Sequence, residues 1–158
     1  MIPTSKTYWQ KPEEIRRSWH LLDARGLALG RLAVKAANFL QGKGKRTYSH
    51  QQDGGDFVVV VNARYVLLTG NKLREKMDFR HSGYPGGTTF TPYDRLMKER
   101  PDRAVELAVI GMLPKNKLRK RMRNRLKVYK EAEHPHAAQF AGPLAAEEKQ
   151  PVTAGQPA

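Results

Sequence analysis

The sequence predicts an α/β fold, a sheet covered by helices. Three observations carry that expectation. Phe57–Val61 (FVVVV) is a continuous β-branched run, as in strands covered on both faces. Apolar residues at helical spacing precede it, from Leu29 to Leu40, and a second such stripe follows, from Val105 to Met112. Strands that alternate with helices in this way build a sheet with helices packed against it.

In chain order, residues 1–17 read as an irregular arm, with Pro3, Pro12 and scattered charge. Ser18–Asp23 is a first strand, followed by a turn through Gly26. The stripe Leu29, Leu32, Ala33, Ala36, Ala37 and Leu40 predicts a helix over Gly30–Gln41, with Gly42 where a C-cap belongs. Asp53–Asp56 (DGGD) reads as a tight turn in which Gly supplies positive φ and Asp bonds its own backbone. After the strand at 57–61, Tyr65–Leu68 is a further strand, Thr69–Asn71 a turn and Lys76–His81 a short strand. A capping Thr91, Pro92 at the first helical position and Pro101 at the end frame a short helix. Asp102 caps the next, whose stripe Val105, Ala108, Val109 and Met112 is expected on the sheet, until Pro114 ends it. Leu118, Met122, Arg125 and Leu126 mark one more helix. Residues 141–158, rich in Pro, Ala and Gly with no apolar period, read as a disordered tail. The expected organisation is an arm (1–17), one α/β domain (18–140) and the tail, a division that 158 residues accommodate.

Charge points to the partner. Lys and Arg number 29 against 15 Asp and Glu, a net charge of +14, at a mean hydropathy of −0.68. Such self-repulsion suits a protein that lies against phosphates and releases their counterions. If about six to eight bases met phosphates, affinity would fall roughly as the sixth or seventh power of salt concentration. A membrane is the weaker rival, because no run approaches the ~18 apolar residues needed to span. The chain has no cysteine, which excludes disulfides and thiolate metal sites. The N-terminus lacks an apolar signal core, so the expected location is the cytosol.

Enzyme chemistry finds little support. His134-Pro135-His136 has neither i, i+4 spacing nor a third ligand close in sequence. Gly26–Arg31 (GLALGR) precedes a helix whose N-terminal amides suit a phosphate, but it lacks the third glycine of a dinucleotide fingerprint and any P-loop Lys-Ser/Thr pair. Thr69–Lys72 (TGNK) is too short to carry meaning alone. No cofactor, metal or small-molecule substrate is expected. The enzyme rival is a nucleotide-dependent transferase built on GLALGR and TGNK.

The basic segments are stronger together. Lys115–Lys130 holds nine Lys or Arg and no acid. Like charges at i, i+4 of a helix, as at Arg119–Arg123 and Arg121–Arg125, repel by a few tenths of a kcal/mol, approximately, per pair, so the segment calls for an external anion. Lys43, Lys45 and Arg46 repeat the one-sided charge. Arg80–Phe90 (RHSGYPGGTTF) reads as a loop, a poor strand and no helix, with Arg80, His81 and Tyr84 beside Gly83, Gly86 and Gly87. A loop of this kind fits folded RNA, read through shape, phosphates and stacked bases, better than the DNA major groove.

The segments GLALGRLAVKAANFLQGKGK, GDFVVVVNA, TGNK, RHSGYPGG, AVIGMLPKNKL, RLKVY and EHPHAAQ stand in the same order as in the large-subunit ribosomal protein family L-thirteen. The chain resembles the bacterial form of that family from about Trp19 to Gln139. The resemblance implies a three-layer α/β/α domain around a small mixed sheet, with basic extensions. It also implies binding to 23S rRNA beside neighbouring large-subunit ribosomal proteins, early entry into subunit assembly, and no catalysis. By the family pattern the RNA-facing residues are Lys43, Lys45 and Arg46; Arg80, His81, Gly83, Tyr84, Gly86 and Gly87; and Lys115, Lys117, Arg119, Lys120, Arg121, Arg123, Arg125 and Lys127. Leu118–Met122 (LRKRM) departs from the relatives' LGRAM, which suggests a longer helix there. A regulatory RNA-binding protein acting outside the ribosome is the second reading.

Overall fold

The computed structural model describes residues 10–140; residues 1–9 of the expected arm and the whole expected tail, 141–158, lie outside them. Strand β1 spans Trp19–Asp23, and α1 (Leu29–Gln41) leads from it to β2 (Phe57–Val61). A short α2 (Lys72–Glu75) precedes β3 (Met77–His81) and β4 (Thr88–Pro92). Then come α3 (Tyr93–Glu99), α4 (Pro101–Met112), α5 (Leu118–Asn124), β5 (Leu126–Val128) and α6 (Ala137–Phe140). The fold is α/β, with its strands in two sets. β1, β2 and β5 form a parallel sheet with β2 in the middle, and β3 and β4 form a separate antiparallel hairpin.

The register sets Leu22 beside Val60 and Leu126 beside Val58. Because side chains alternate along a strand, His20, Leu22, Val58, Val60, Leu126 and Val128 share one face. That face meets the apolar side of α1, and α4 packs along α1 through Ala104, Val105 and Val109. Three alanines on the α1 stripe, Ala33, Ala36 and Ala37, keep the helix close to both. On the opposite face Trp19 stacks on Phe57, with ring centroids 4.4 Å apart, and also meets His136 and Phe140 of the C-terminal segment. The central strand is covered on both sides, and Val58, Val59 and Val60 are fully buried. α1 stops at Gly42 in the left-handed region (φ 73), whose N–H donates to the carbonyls of Asn38 and Phe39.

Four expectations need correction. Tyr65–Leu68 is not a strand: Ala63–Tyr65 form a 3-10 turn, and Leu67 makes only a single bridge to Ala28. Asn62, Ala63 and Arg64 donate instead to the carbonyls of Glu131, Tyr129 and Lys130, which draws the chain out of the sheet. Thr91 and Pro92 end β4, and the N-cap of α3 is Pro92, without a side-chain hydrogen bond. Asp102 lies in the first turn of α4 behind Pro101 rather than capping it, and the stripe ends early, with Met112 41% exposed. The basic helix stops at Asn124, because Leu126 and Val128 alternate with Lys127 and pair with β2. It is shorter, not longer, than the departure from LGRAM suggested.

Gly55 backs directly onto α1, where a Cβ would overlap the Leu40 carbonyl oxygen. Gly55→Ala should therefore cost about 1–3 kcal/mol, as overpacked sites do. Gly30→Ala, in α1 with nothing within 4 Å of the added Cβ, should gain about 0.5–1 kcal/mol. Urea denaturation of both variants checks this, and equal midpoints would contradict it.

Candidate nucleic-acid interface

The turn after α1 sorts its cations. Lys43 and Arg46 face solvent, whereas Lys45 folds back. Its Nζ donates to the Asp56 carboxylate, the Arg16 carbonyl (2.9 Å) and the Gly54 carbonyl (3.0 Å). Asp56 also accepts the Ser18 N–H at 3.0 Å and lies 3.0 Å from His20 Nε2. Burial alone would raise the Asp56 carboxyl, but hydrogen bonds from His20, Lys45 and Ser18 outweigh it and hold the group below its ordinary value. Lys43 and Lys45 line a groove of about 890 Å³ with Lys35, His20 and Phe39, between β1 and the C-terminal half of α1.

The segment after α4 is sorted in the same way. Lys115, Lys117, Lys120, Arg121 and Lys127 are exposed. Arg119 is half-buried and donates to the Ile110 carbonyl at 2.7 Å. Arg123 Nε meets Glu106 at 2.8 Å, and Arg103 holds the other oxygen of that carboxylate at 2.9 Å. Burial would raise Glu106, but these two arginines keep it below its ordinary value. Arg125, only 6% exposed, is the clear correction among the expected phosphate contacts. Both its Nη atoms donate to the two oxygens of Asp53, and one also reaches the Leu40 carbonyl at 3.3 Å. Its charge is taken up inside the fold. The DGGD segment is likewise not the expected turn: neither Gly54 nor Gly55 has positive φ, and Asp53 and Asp56 bind distant side chains.

These contacts bring two basic segments together. Arg125 ties the α5–β5 junction to Leu40 and Asp53, and Gln41 Nε2 donates to the Met112 carbonyl at 3.4 Å. Lys43–Arg46 and Lys115–Lys127 thus flank the C-terminal end of α1. The third expected segment lies elsewhere, on the hairpin, which packs against α2 and α3.

The expected strand Lys76–His81 forms as β3, and the hairpin corrects the reading of Thr88–Phe90 as loop. Arg80 and His81 end β3, and Thr88 opens β4. Between them Ser82 N–H donates to the Gly87 carbonyl (3.0 Å), Gly87 N–H to the Tyr84 carbonyl (2.9 Å) and Gly83 N–H to His81 Nδ1 (3.0 Å). Gly83 (φ 95) and Gly86 (φ 74) adopt the left-handed backbone that the turn requires. Tyr84 stands 76% exposed at the tip. Two exposed aromatics outside the expected site residues lie on the hairpin strands. Phe79 and Phe90 face each other across the strands at 5.5 Å, 61% and 60% exposed. Their symmetric placement about the turn was the available signal. His136 Nε2 lies 2.9 Å from the Tyr129 hydroxyl, and no metal-binding cluster occurs among the described residues.

Arg125→Ala would leave Asp53 buried without its main partner, which should cost roughly 3–5 kcal/mol. Arg121→Ala, at the exposed surface, should change stability by no more than about 0.5 kcal/mol. Urea titrations of the two variants separate scaffold arginine from surface arginine, and equal losses would contradict the assignment.

A sequence profile of the family described as Ribosomal protein L13 matches residues 17–135. The Large ribosomal subunit protein uL13 of Salinispora arenicola is 55% identical over 139 residues, covering 88% of this chain and 95% of that protein. Its counterpart in Pelotomaculum thermopropionicum is 53% identical, covering 87% and 96%. That of Streptomyces coelicolor is 51% identical, covering 88% and 95%. On a match that takes in both basic segments and the hairpin, the chain belongs to the Ribosomal protein L13 family, a structural component of the ribosome and not an enzyme.

Proposed function

We propose that this chain is a structural constituent of the large ribosomal subunit in the cytoplasm, where it binds 23S rRNA beside neighbouring subunit proteins and supports early assembly. Residues 18–140 act in this as one binding unit. The observation that carries the reading is the sorting of charge. Buried acids hold Lys45 and Arg125 inside, while Lys43, Arg46, Lys117, Lys120, Arg121 and Lys127 face solvent without a carboxylate partner among the described residues. Cations held outward on a rigid body suit converging phosphate strands, and the tip of the hairpin adds Arg80 and Tyr84 as a separate point of contact. None of the helices described is long and apolar enough to cross a membrane.

Replacing Lys43, Arg46, Lys117, Lys120, Arg121 and Lys127 by Gln should weaken binding to 23S rRNA and lower the salt slope by roughly one per lost contact, while circular dichroism stays unchanged. Unaltered affinity would remove these segments from the interface. In lysate the tagged chain should sediment with large subunits, and recovery only in ribosome-free fractions would favour a regulatory role instead.

A further inference from the structure

GLALGR and TGNK, weak as separate nucleotide motifs, converge in three dimensions. Ala28–Arg31 from the first, and Thr69 and Lys72 from the second, line one groove of about 800 Å³ beside α4. That volume lies in the range of sites that enclose small ligands, roughly 300–1,000 Å³. Arg31, Lys72 and Lys76 stand on its walls, and no acidic side chain lines it. None of the three forms an ion pair among the described residues; Lys72 donates to Thr69 Oγ1 at 3.1 Å, and Lys76 lies over the Tyr93 ring at 4.5 Å. The floor is apolar. Leu67 and Met112 are 53% and 41% exposed there, beside Ala108 and Gly111. The N–H of Leu29 is already bonded to the Leu67 carbonyl at 2.9 Å, so the side chains, and not the start of the helix, supply the charge.

We propose that this groove seats one unstacked nucleotide of the bound RNA, its base on the apolar floor and its phosphate against Arg31, Lys72 and Lys76. The proposal rests on the rRNA-binding reading and adds a contact outside the segments named for it. Unstacked bases are what proteins read in folded RNA, and a base set on apolar surface is held without regard to its identity. A free mononucleotide offers the same chemistry. RNA is the source because the rest of the interface holds the strand in place and raises the local concentration of the base. The floor's aliphatic side chains give a free nucleotide little else to grip.

The full-length chain and a 23S rRNA transcript, in a salt series, test this. Gly111 lines the groove, an added Cβ there meets nothing within 4 Å, and Leu is a good helix former, so Gly111→Leu is expected to occupy the groove and keep α4, with circular dichroism as the check on the fold. It should weaken rRNA binding roughly tenfold with the salt slope unchanged, as loss of one seated base requires. The double variant Arg31→Gln, Lys72→Gln should weaken binding and lower the slope by about one to two. Wild-type affinity in Gly111→Leu, or a wild-type slope in the double variant, overturns the nucleotide seat while the rRNA reading stands. Failure of the unaltered chain to bind the transcript overturns both. AMP, GMP, CMP and UMP should show no saturable heat of binding at millimolar concentration. Saturable binding abolished by Gly111→Leu, with rRNA affinity unchanged, would make this a free-nucleotide site and overturn the proposal.

Discussion

The buried pair of Arg125 with Asp53 is the joint on which the rest of the molecule depends. It spans 72 residues of sequence and closes three elements on one another: the end of α1 through the Leu40 carbonyl, the segment entering β2 through Asp53, and the α5–β5 junction through Arg125 itself. A buried ion pair is no guarantee of net stability, since desolvation opposes the attraction of the charges. What it does supply here is position. With the guanidinium held by both carboxylate oxygens and a carbonyl, β5 cannot slip against β2, and the basic segment before it is held against the end of α1.

Asp56 repeats the arrangement three residues further along, holding Ser18, His20 and Lys45 together. The two acids of DGGD thus divide the cations of an unusually positive chain into those that build the scaffold and those that face out. Glu106 takes up charge more weakly at the surface, holding both Arg103 and Arg123. Self-repulsion is relieved where the chain must pack and left in place on the surface proposed to meet a polyanion.

Much of this was legible in the sequence, because the signals were local. The β-branched run at 57–61 and the stripe from Leu29 to Leu40 each carry their period within one element, and both elements form where expected. The region from Leu118 to Val128 was ambiguous for a physical reason. Leu126 stands four residues after Met122, as on a helix, and two before Val128, as on a strand, and pairing with Val58 decides between them. Of the hairpin strands, β3 was legible in Lys76–His81, whereas β4 was hidden because the glycines and proline of the turn dominate the composition of Arg80–Phe90. The interface was legible as a set of segments but not as a set of free charges. Sequence shows no acid between Lys115 and Lys130, yet the acids that neutralise Arg123 and Arg125 come from Glu106 and Asp53.

The most direct measurement is lysine acetylation, read residue by residue, on the free chain and on its complex with 23S rRNA. The account predicts that Lys43, Lys117, Lys120 and Lys127 react readily in the free protein and are protected by RNA, whereas Lys45 reacts slowly in both. Rapid modification of Lys45 in the free chain, or outward lysines that remain reactive in the complex, would contradict the division of charge between scaffold and interface.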